Sequence, residues 1–412
     1  MSDTETVRPA FPTREHSPLL SYGLPFPSAA ARHVSAMFGA SRVYVLCSAS
    51  LARNTDALDR LQAALSTAGV TVVGLRIGMR SHTLWSEVVQ VVNEAREADA
   101  DLLLTLGGGS LTDGAKIAAL ALSNGVTTPA DLATLTEGPD KRAVVHPPTI
   151  PIVSIPTTLS AGEYSDFAGG TNDATRHKHS FQQPARGPRL VILDPDLAAM
   201  TPDAIWLSTG VRAVDHCVET LCAIEGATPA TDALAERALR LLVPGLLRSK
   251  RDSADREARL QSQLGSVDAM AAFTGGSVEL GASHGIGHQL GPLGVGHGET
   301  SCIMLPAVCK FNALHNANRH RQQRVLACLT SDAVVSNVLR ERSVDASRAD
   351  LGDVLDAVIR QLGLPRSLTE VGVGRDKLDP LALNSLQDRC CKTNPVPLET
   401  KEQVLEILEM AL

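Results

Sequence analysis

Over residues 31–200 short apolar runs alternate with amphipathic stretches, and this rhythm restricts the fold more than any other feature of the chain. Val43–Leu46 is a β-branched run ending near Ser48, followed by a helical pattern through Leu58, Leu61 and Leu65. Val70–Leu75 is a second strand, with a helix through Val88, Val91 and Val92 after it. Leu102–Leu106 is a third, followed by glycines and the helix Ala115–Leu122; Ile150–Ile155 and Arg189–Leu193 supply two more. Strand, helix, strand at this spacing predicts a parallel sheet covered on both faces. The stretch from Ala161 to Pro188, rich in Gly, Asp, Asn and His, reads as a long loop or hairpin, and residues 1–30 read as a loosely attached arm.

After Thr201-Pro202 strand signals almost vanish. Helical periodicity dominates over Ala230–Leu247, Arg256–Phe273, Ala307–Asn318, Ser347–Leu362 and Thr400–Leu412. A chain of 412 residues exceeds one ordinary core, so the expected plan is an α/β domain over 31–200 and an all-α domain over 201–412.

Composition removes several classes of function. Aromatic residues are only 3% and the net charge is −7, which leaves neither a stacking platform nor a basic field for nucleic acid. The basic stretch Arg319–Arg324 is interrupted by Gln322 and Gln323 and reads as a solvated helix face. Leu102–Leu122, the longest apolar stretch, is broken by glycines, Asp113 and Lys116, so no membrane span is expected. Met1–Pro27 lacks the pattern of a secretory segment. The eight cysteines contain no Cys-x-x-Cys pair, which suits reduced thiols and a cytoplasmic location.

Two constellations carry chemistry. Gly107-Gly108-Gly109-Ser110 joins a strand directly to a helix. Glycines allow close backbone approach to an anion, and a helix N-terminus offers unpaired N–H groups and a favourable dipole. Asp113 and Lys116 follow on the first helical turns. The run is not the G-x-G-x-x-G fingerprint and marks a different dinucleotide arrangement. The second constellation is His284-Gly-Ile-Gly-His288, two imidazoles on one helical face, with His297 in a glycine-rich loop and His216 on an earlier helix. Imidazoles in such a group ligate metal or move protons near neutral pH.

Gly107 to Lys116, Ile155-Pro156-Thr157-Thr158 with Ser160, Gly162 and Glu163, Asp194-Pro195, Thr209-Gly210 before His216, the histidine cluster, and Thr393-Asn394-Pro395 occur in the order seen in the iron-containing alcohol dehydrogenases. The chain resembles that family over residues 43–412. The resemblance implies a dehydroquinate synthase-like fold, in which a dinucleotide-binding α/β domain precedes a helical one, with the active site in the cleft between them. It implies NAD or NADP held by Gly107, Gly108, Gly109 and Ser110, with Asp113 and Ser48 nearby and Thr157, Thr158 and Lys178 weaker candidates. Ser48 stands where many relatives carry an Asp for the ribose 2′-hydroxyl, which leaves NADP open beside NAD.

In metal-binding relatives an Asp four residues before the helix histidine joins three histidines around iron or zinc. Arg212 occupies that position here, and a guanidinium has no lone pair to offer. The segment from His284 to His297 is also one residue shorter than the family spacing. His216, His284 and His297 remain candidate ligands for zinc or iron, while Arg212 weakens that reading. Asp215, about 100° from His216 on an ideal helix, looks a poor substitute ligand. Without a metal, Arg212 or a histidinium would supply positive charge and His288 or His284 the proton, with His216 and His297 also in the catalytic set. The other role for Arg212 is a structural pair with Asp215 or Glu219. Arg80-Ser81-His82-Thr83, Thr157-Thr158-Leu159-Ser160 with Glu163, and His297-Gly298-Glu299-Thr300 look like the maleylacetate reductase branch more than simple alcohol dehydrogenases. That branch acts on an unsaturated oxo-dicarboxylate, for which Arg80, His82 and Arg212 are candidate cationic partners, although His82 also suits a surface position at a helix start. A small-molecule substrate and a homodimer are expected. A metal-dependent alcohol or aldehyde dehydrogenase, a non-redox lyase or cyclase, and an inactive binding protein are the competing readings.

Overall fold

In the computed structural model, which describes residues 4–80, 82–136 and 144–412, nine strands and the helices between them follow the alternation of the sequence. The strands are β1 (Thr6–Pro9), β2 (Leu19–Tyr22), β3 (Arg42–Cys47), β4 (Thr71–Ile77), β5 (Leu102–Gly107), β6 (Ile152–Pro156), β7 (Ala168–Thr171), β8 (Lys178–Phe181) and β9 (Leu190–Leu193). The chain divides into two compact units, Met1–Thr201 and Pro202–Leu412.

The first unit is built on a seven-stranded sheet in the order β1-β2-β9-β6-β5-β3-β4, parallel except for the β1–β2 pair. Period-two alternation sends successive side chains to opposite faces. Val43, Val45, Leu102, Leu104 and Ile155 therefore join a core with helices Phe26–Ala36 and Ala57–Thr67. Tyr44, Leu46, Leu103 and Ile152 join the other, with helices Trp85–Glu97 and Gly109–Ser123. The chain leaves β3 toward β4 on one side, and β5 lies on the other. The carboxyl ends of β3 and β5 thus flank a topological switch point, where open α/β sheets bind ligands.

Within residues 1–30, expected as a loose arm, the described residues 4–30 are packed into the sheet and its helices. β1 and β2 extend the sheet beside β9, and Glu5 accepts hydrogen bonds from Ser21 Oγ (2.6 Å) and Arg32 Nη1 (2.9 Å) while meeting His33 Nε2 at 2.5 Å. Four-residue strands give too short an alternation to show in the sequence. The stretch from 161 to 188 contains a hairpin of β7 and β8.

The second unit is helical, and its first helices, Asp203–Cys222, Pro229–Arg251 and Arg256–Thr274, follow one another closely. Thr228 caps the second of them through a reciprocal bond with Thr231, and Pro229 sits at its first position, where a missing N–H costs nothing. The helix expected over Ala307–Asn318 instead runs from His297 to Leu314, with Pro306 inside it. His297 therefore opens a helix and does not lie in a loop. Pro306 and the glycines around His297 obscure its start, because their propensity opposes a helix that burial stabilises.

Candidate active site

In the first unit, β5 ends at Gly107 in the left-handed half of backbone space (φ +150°), and a Cβ there would lie 2.7 Å from Ser48 Cβ and Leu111 Cδ1. Only glycine fits. Gly108 is the N-cap of helix Gly109–Ser123 and contributes no side chain to its free N–H groups. Thr158 packs over Gly108, and its buried Oγ1 has no hydrogen-bond partner. A Cβ on Gly109, which is partly exposed, would meet Ser160 Cβ at 3.8 Å, an ordinary contact. Ser48 donates its N–H to Leu106 O (2.9 Å) and its hydroxyl lies 2.8 Å from Ser50 Oγ, which fixes it beside the turn. An uncapped helix N-terminus, a glycine surface open to solvent and an unpartnered hydroxyl suit a pyrophosphate, with Gly108, Gly109, Ser110 and Thr158 the groups that would hold it.

The other residues of these motifs brace the turn. Thr157 donates its N–H to Gly107 O (3.1 Å) and accepts from Thr201 Oγ1 (2.9 Å). Asp113 lies in the second helical turn, accepts the Gly169 N–H (3.2 Å) and stands 3.5 Å from Lys116 Nζ. Lys116, fully buried, donates to Gly162 O (2.5 Å), Ser165 Oγ (3.1 Å) and Phe167 O (2.9 Å). Glu163 accepts from Thr112 Oγ1 at 2.7 Å. Lys178 lies on β8, against Gly169. His82 is exposed at φ +70°, three residues before helix Trp85–Glu97, and Arg80 is exposed beside Glu87; Ser81 lies outside the described residues.

In the second unit, Arg212, Asp215, His216 and Glu219 fall at i, i+3, i+4 and i+7 of helix Asp203–Cys222 and are all buried. Helix Ala282–Leu290 brings His284 and His288 against that face. The rings of His216 and His284 are 4.9 Å apart, those of His284 and His288 are 6.3 Å apart, and His216 stacks on Phe273 at 5.5 Å. Glu219 accepts the N–H groups of Gly281 and Ser283 (both 2.9 Å), so a carboxylate from one helix caps another. Its Oε2 also meets His284 Nδ1 at 2.7 Å. Asp215 accepts from Ser283 Oγ (2.9 Å) and Ser301 Oγ (2.6 Å) and lies 3.5 Å from His284 Nδ1. Arg212 Nη1 donates to Ser301 Oγ (3.1 Å) and stands 3.6 Å from Asp215. Asp215 thus serves His284 across the helix pair, whatever its angle to His216. His297, exposed, adds its field to that felt by His284.

Burial governs the protonation of this cluster. It pushes the His216 pKa down to about 3, with the Arg212 charge adding to the effect, and holds His284 well below its ordinary value for the same reasons. It pushes Glu219 well up, helped by the neighbouring Asp215 charge, where Glu219 Oε2 lies 2.7 Å from His284 Nδ1. Burial also lowers the Arg212 pKa, against Asp215 and Glu219, but a guanidinium remains charged.

Four atoms of the cluster are buried without partners: Arg212 Nε, Asp215 Oδ1, His216 Nδ1 and His284 Nε2. Two imidazole nitrogens are suitable donors for a metal, and Asp215, Glu219 and His284 place ligand-type atoms within 4.8 Å of one another. The remaining donor set does not fit. Glu219 Oε2 and Asp215 Oδ2 each already take two contacts and Glu219 Oε1 takes one, which leaves Asp215 Oδ1 as the open carboxylate oxygen. The buried Arg212 guanidinium would face any cation placed there.

The two glycines between His284 and His288 are packing residues. A Cβ on Gly285 would meet Cys391 Sγ at 2.5 Å, and one on Gly287 would meet Thr300 Oγ1 at 3.2 Å. Thr393 Oγ1 donates to Leu280 O (2.5 Å), and Asn394 Oδ1 accepts the Ala282 N–H (3.1 Å), which ties the C-terminal motif to the start of the histidine helix. Glu219, Ser283, Ser301 and Asp388, which bonds His288 at 2.9 Å, were not singled out by sequence as site residues. Only the i, i+3, i+4, i+7 spacing of Arg212, Asp215, His216 and Glu219 pointed toward part of this set.

Residues 27–195 match the iron-containing alcohol dehydrogenase family, and residues 206–412 match the C-terminal part of the Fe-containing alcohol dehydrogenase family. Dehydrogenase FUM7 of Gibberella moniliformis is 40% identical over 419 residues, covering 97% of each chain. Dehydrogenase ALT3 of Alternaria alternata is 40% identical over 390 residues, covering 91% of this chain and 100% of its own. The crystal structure of maleylacetate reductase from a Rhizobium strain is 25% identical, with a TM-score of 0.71 over 99% of this chain and 97% of that one.

Proposed function

The chain belongs to the iron-containing alcohol dehydrogenase family and is an oxidoreductase, and from that premise we propose that it reduces a small carbonyl or unsaturated oxo-acid with NADH or NADPH, without a catalytic metal. The observation that carries this reading is the buried Arg212 guanidinium, hydrogen-bonded to Ser301 and placed beside two imidazoles that its charge helps keep neutral.

When bound, the reduced nicotinamide supplies a hydride to the substrate carbon. As that carbon gains the hydride, negative charge grows on the oxygen and must be met by positive charge and a proton. Arg212 supplies the fixed positive charge that a metal ion supplies in relatives, and its unpartnered Nε is a donor held out of water. His216 and His284 stay neutral. His288, the half-exposed member of the cluster, donates the proton from Nε2 to the developing alkoxide. A substrate carboxylate would also favour a cationic site, in keeping with the likeness to a maleylacetate reductase.

The test is oxidation of NADH and NADPH by chelator-treated protein with maleylacetate and with simple aldehydes. Metal-free turnover is expected. Stoichiometric metal whose removal abolishes turnover would replace this mechanism with a metal-dependent one, and no cofactor oxidation with any carbonyl would favour non-redox chemistry.

A further inference from the structure

We infer that Asp388 is a positioning residue that holds His288 with its proton on Nδ1 and Nε2 turned outward for proton transfer, an assignment that rests on the reading of His288 as the proton donor. Asp388 Oδ2 lies 2.9 Å from His288 Nδ1, across 100 residues of sequence. Its other oxygen, Oδ1, accepts the Cys390 N–H at 2.9 Å and caps helix Arg389–Lys392. A carboxylate tied at both oxygens has no freedom to rotate, so the imidazole it binds inherits its orientation.

The neighbouring sequence is arranged to bring that carboxylate close. Helix Arg389–Lys392 sits against the histidine helix at Gly285, where any side chain would collide with the Cys391 backbone N at 2.8 Å. Thr393 and Asn394 anchor the same segment to Leu280 and Ala282, and Asn394 Nδ2 donates to Asn312 Oδ1 at 2.8 Å. Asp388 is mostly buried, whereas His288 is half-exposed. Burial would raise the Asp388 pKa, but the bonds to His288 and Cys390 outweigh it, and the carboxyl lies below its ordinary value. An anion at Oδ2 accepts and does not donate, which places the proton on Nδ1. In the reduction, the Nε2–H bond breaks and the proton passes to the substrate oxygen while the reduced nicotinamide gives hydride to the carbon. Asp388 meanwhile stabilises the charged imidazole before transfer and the Nδ1–H form after it.

The test compares the full-length protein with Asp388→Asn and Asp388→Ser, both able to keep the Cys390 cap. Ring-15N NMR of histidine-labelled protein, with His288→Gln to assign the signal, reads the tautomer. Wild type should show Nδ1–H at His288. In Asp388→Asn the cap should occupy the amide oxygen, leaving NH2 to face Nδ1 and moving the proton to Nε2. Kinetics with maleylacetate or an aldehyde that is turned over should show kcat reduced about 10- to 100-fold in both variants, with KM changed less than about threefold. An Nε2–H tautomer in wild type, or an unchanged kcat in both folded variants, would overturn the assignment. Full activity in His288→Gln would instead remove His288 as the donor. If no carbonyl is turned over, the functional reading fails and the tautomer alone decides the positioning role.

Discussion

Arg212 Nη1 stands 3.6 Å from Asp215 Oδ2, one turn along the same helix, and both are buried. Removing one partner of such a pair leaves an uncompensated charge and costs about 3–5 kcal/mol, so Arg212→Ala alone mixes stability with catalysis. Arg212→Met combined with Asp215→Asn removes both charges together. The double variant should remain folded by thermal melting, while kcat/KM falls by about 100-fold or more. A folded double variant with undiminished turnover would show the pair to be structural.

Metal removal should leave the reaction intact. Dialysis against a strong chelator, followed by elemental analysis, is expected to give metal-free protein whose turnover matches the untreated enzyme. The physical reason is the buried Arg212 guanidinium, which stands 3.6 Å from Asp215 Oδ2 and would repel a cation among these side chains. Loss of turnover that added zinc or iron restores would contradict it.

The contribution of His216 to stability should decline as the pH falls below neutrality. His216 is held neutral, with its pKa pushed from 6.5 down to about 3. Below pH 6.5 the unfolded chain binds a proton here that the folded chain refuses. This stability is therefore full above pH 6.5 and is lost progressively toward pH 3. Between pH 6.5 and 5 this one group accounts for about 2 kcal/mol. His284 acts in the same direction. Urea unfolding across that range should show a smaller loss for His216→Phe than for wild type; equal slopes would exclude the effect.

Two glycines separate cofactor binding from folding. Gly109→Ala adds a methyl group 3.8 Å from its nearest neighbour and should leave the melting temperature unchanged. Any loss of NAD(P)H affinity, read by fluorescence titration, then reports close approach of the ligand to that backbone. Gly107→Ala places a Cβ 2.7 Å from Ser48 and Leu111 at a positive φ and should destabilise the fold by about 1–3 kcal/mol. Unchanged affinity in Gly109→Ala would argue against a pyrophosphate at this turn.

Lys116→Met should be among the costliest substitutions in the first unit. The buried ammonium satisfies Gly162 O, Ser165 Oγ and Phe167 O. Without the ammonium, Gly162 O and Phe167 O keep only the longer contacts from Ser165 (3.2–3.4 Å), at a cost of about 2–4 kcal/mol. Differential scanning calorimetry checks it, and a melting temperature within a degree of wild type would contradict the bracing role.

The short apolar runs Val43–Leu46, Leu102–Leu106 and Ile150–Ile155, each set between helical stretches, made the parallel sheet legible, because such runs are local signals. The strand–glycine–helix junction at Gly107–Ser110 was legible for the same reason. β1 and β2 were not, since strands of four residues carry too little alternation, and the pairing of β2 with β9 joins segments about 170 residues apart. The true start of helix His297–Leu314 was hidden by glycines and Pro306, which only packing overrides.

By itself the sequence determined the two-part architecture, the family, the strand–glycine–helix turn and the presence of Arg212 among histidines, all of which follow from neighbouring residues or from order along the chain. Tertiary structure alone decided which groups those histidines meet. Glu219 takes His284 Nδ1, Asp388 takes His288 Nδ1, and Asp215 turns to Ser283 and Ser301. A hydrogen bond depends on angstroms and on which ring nitrogen is reached. Those quantities are set by how helices pack across tens of residues, and spacing in the sequence does not encode them.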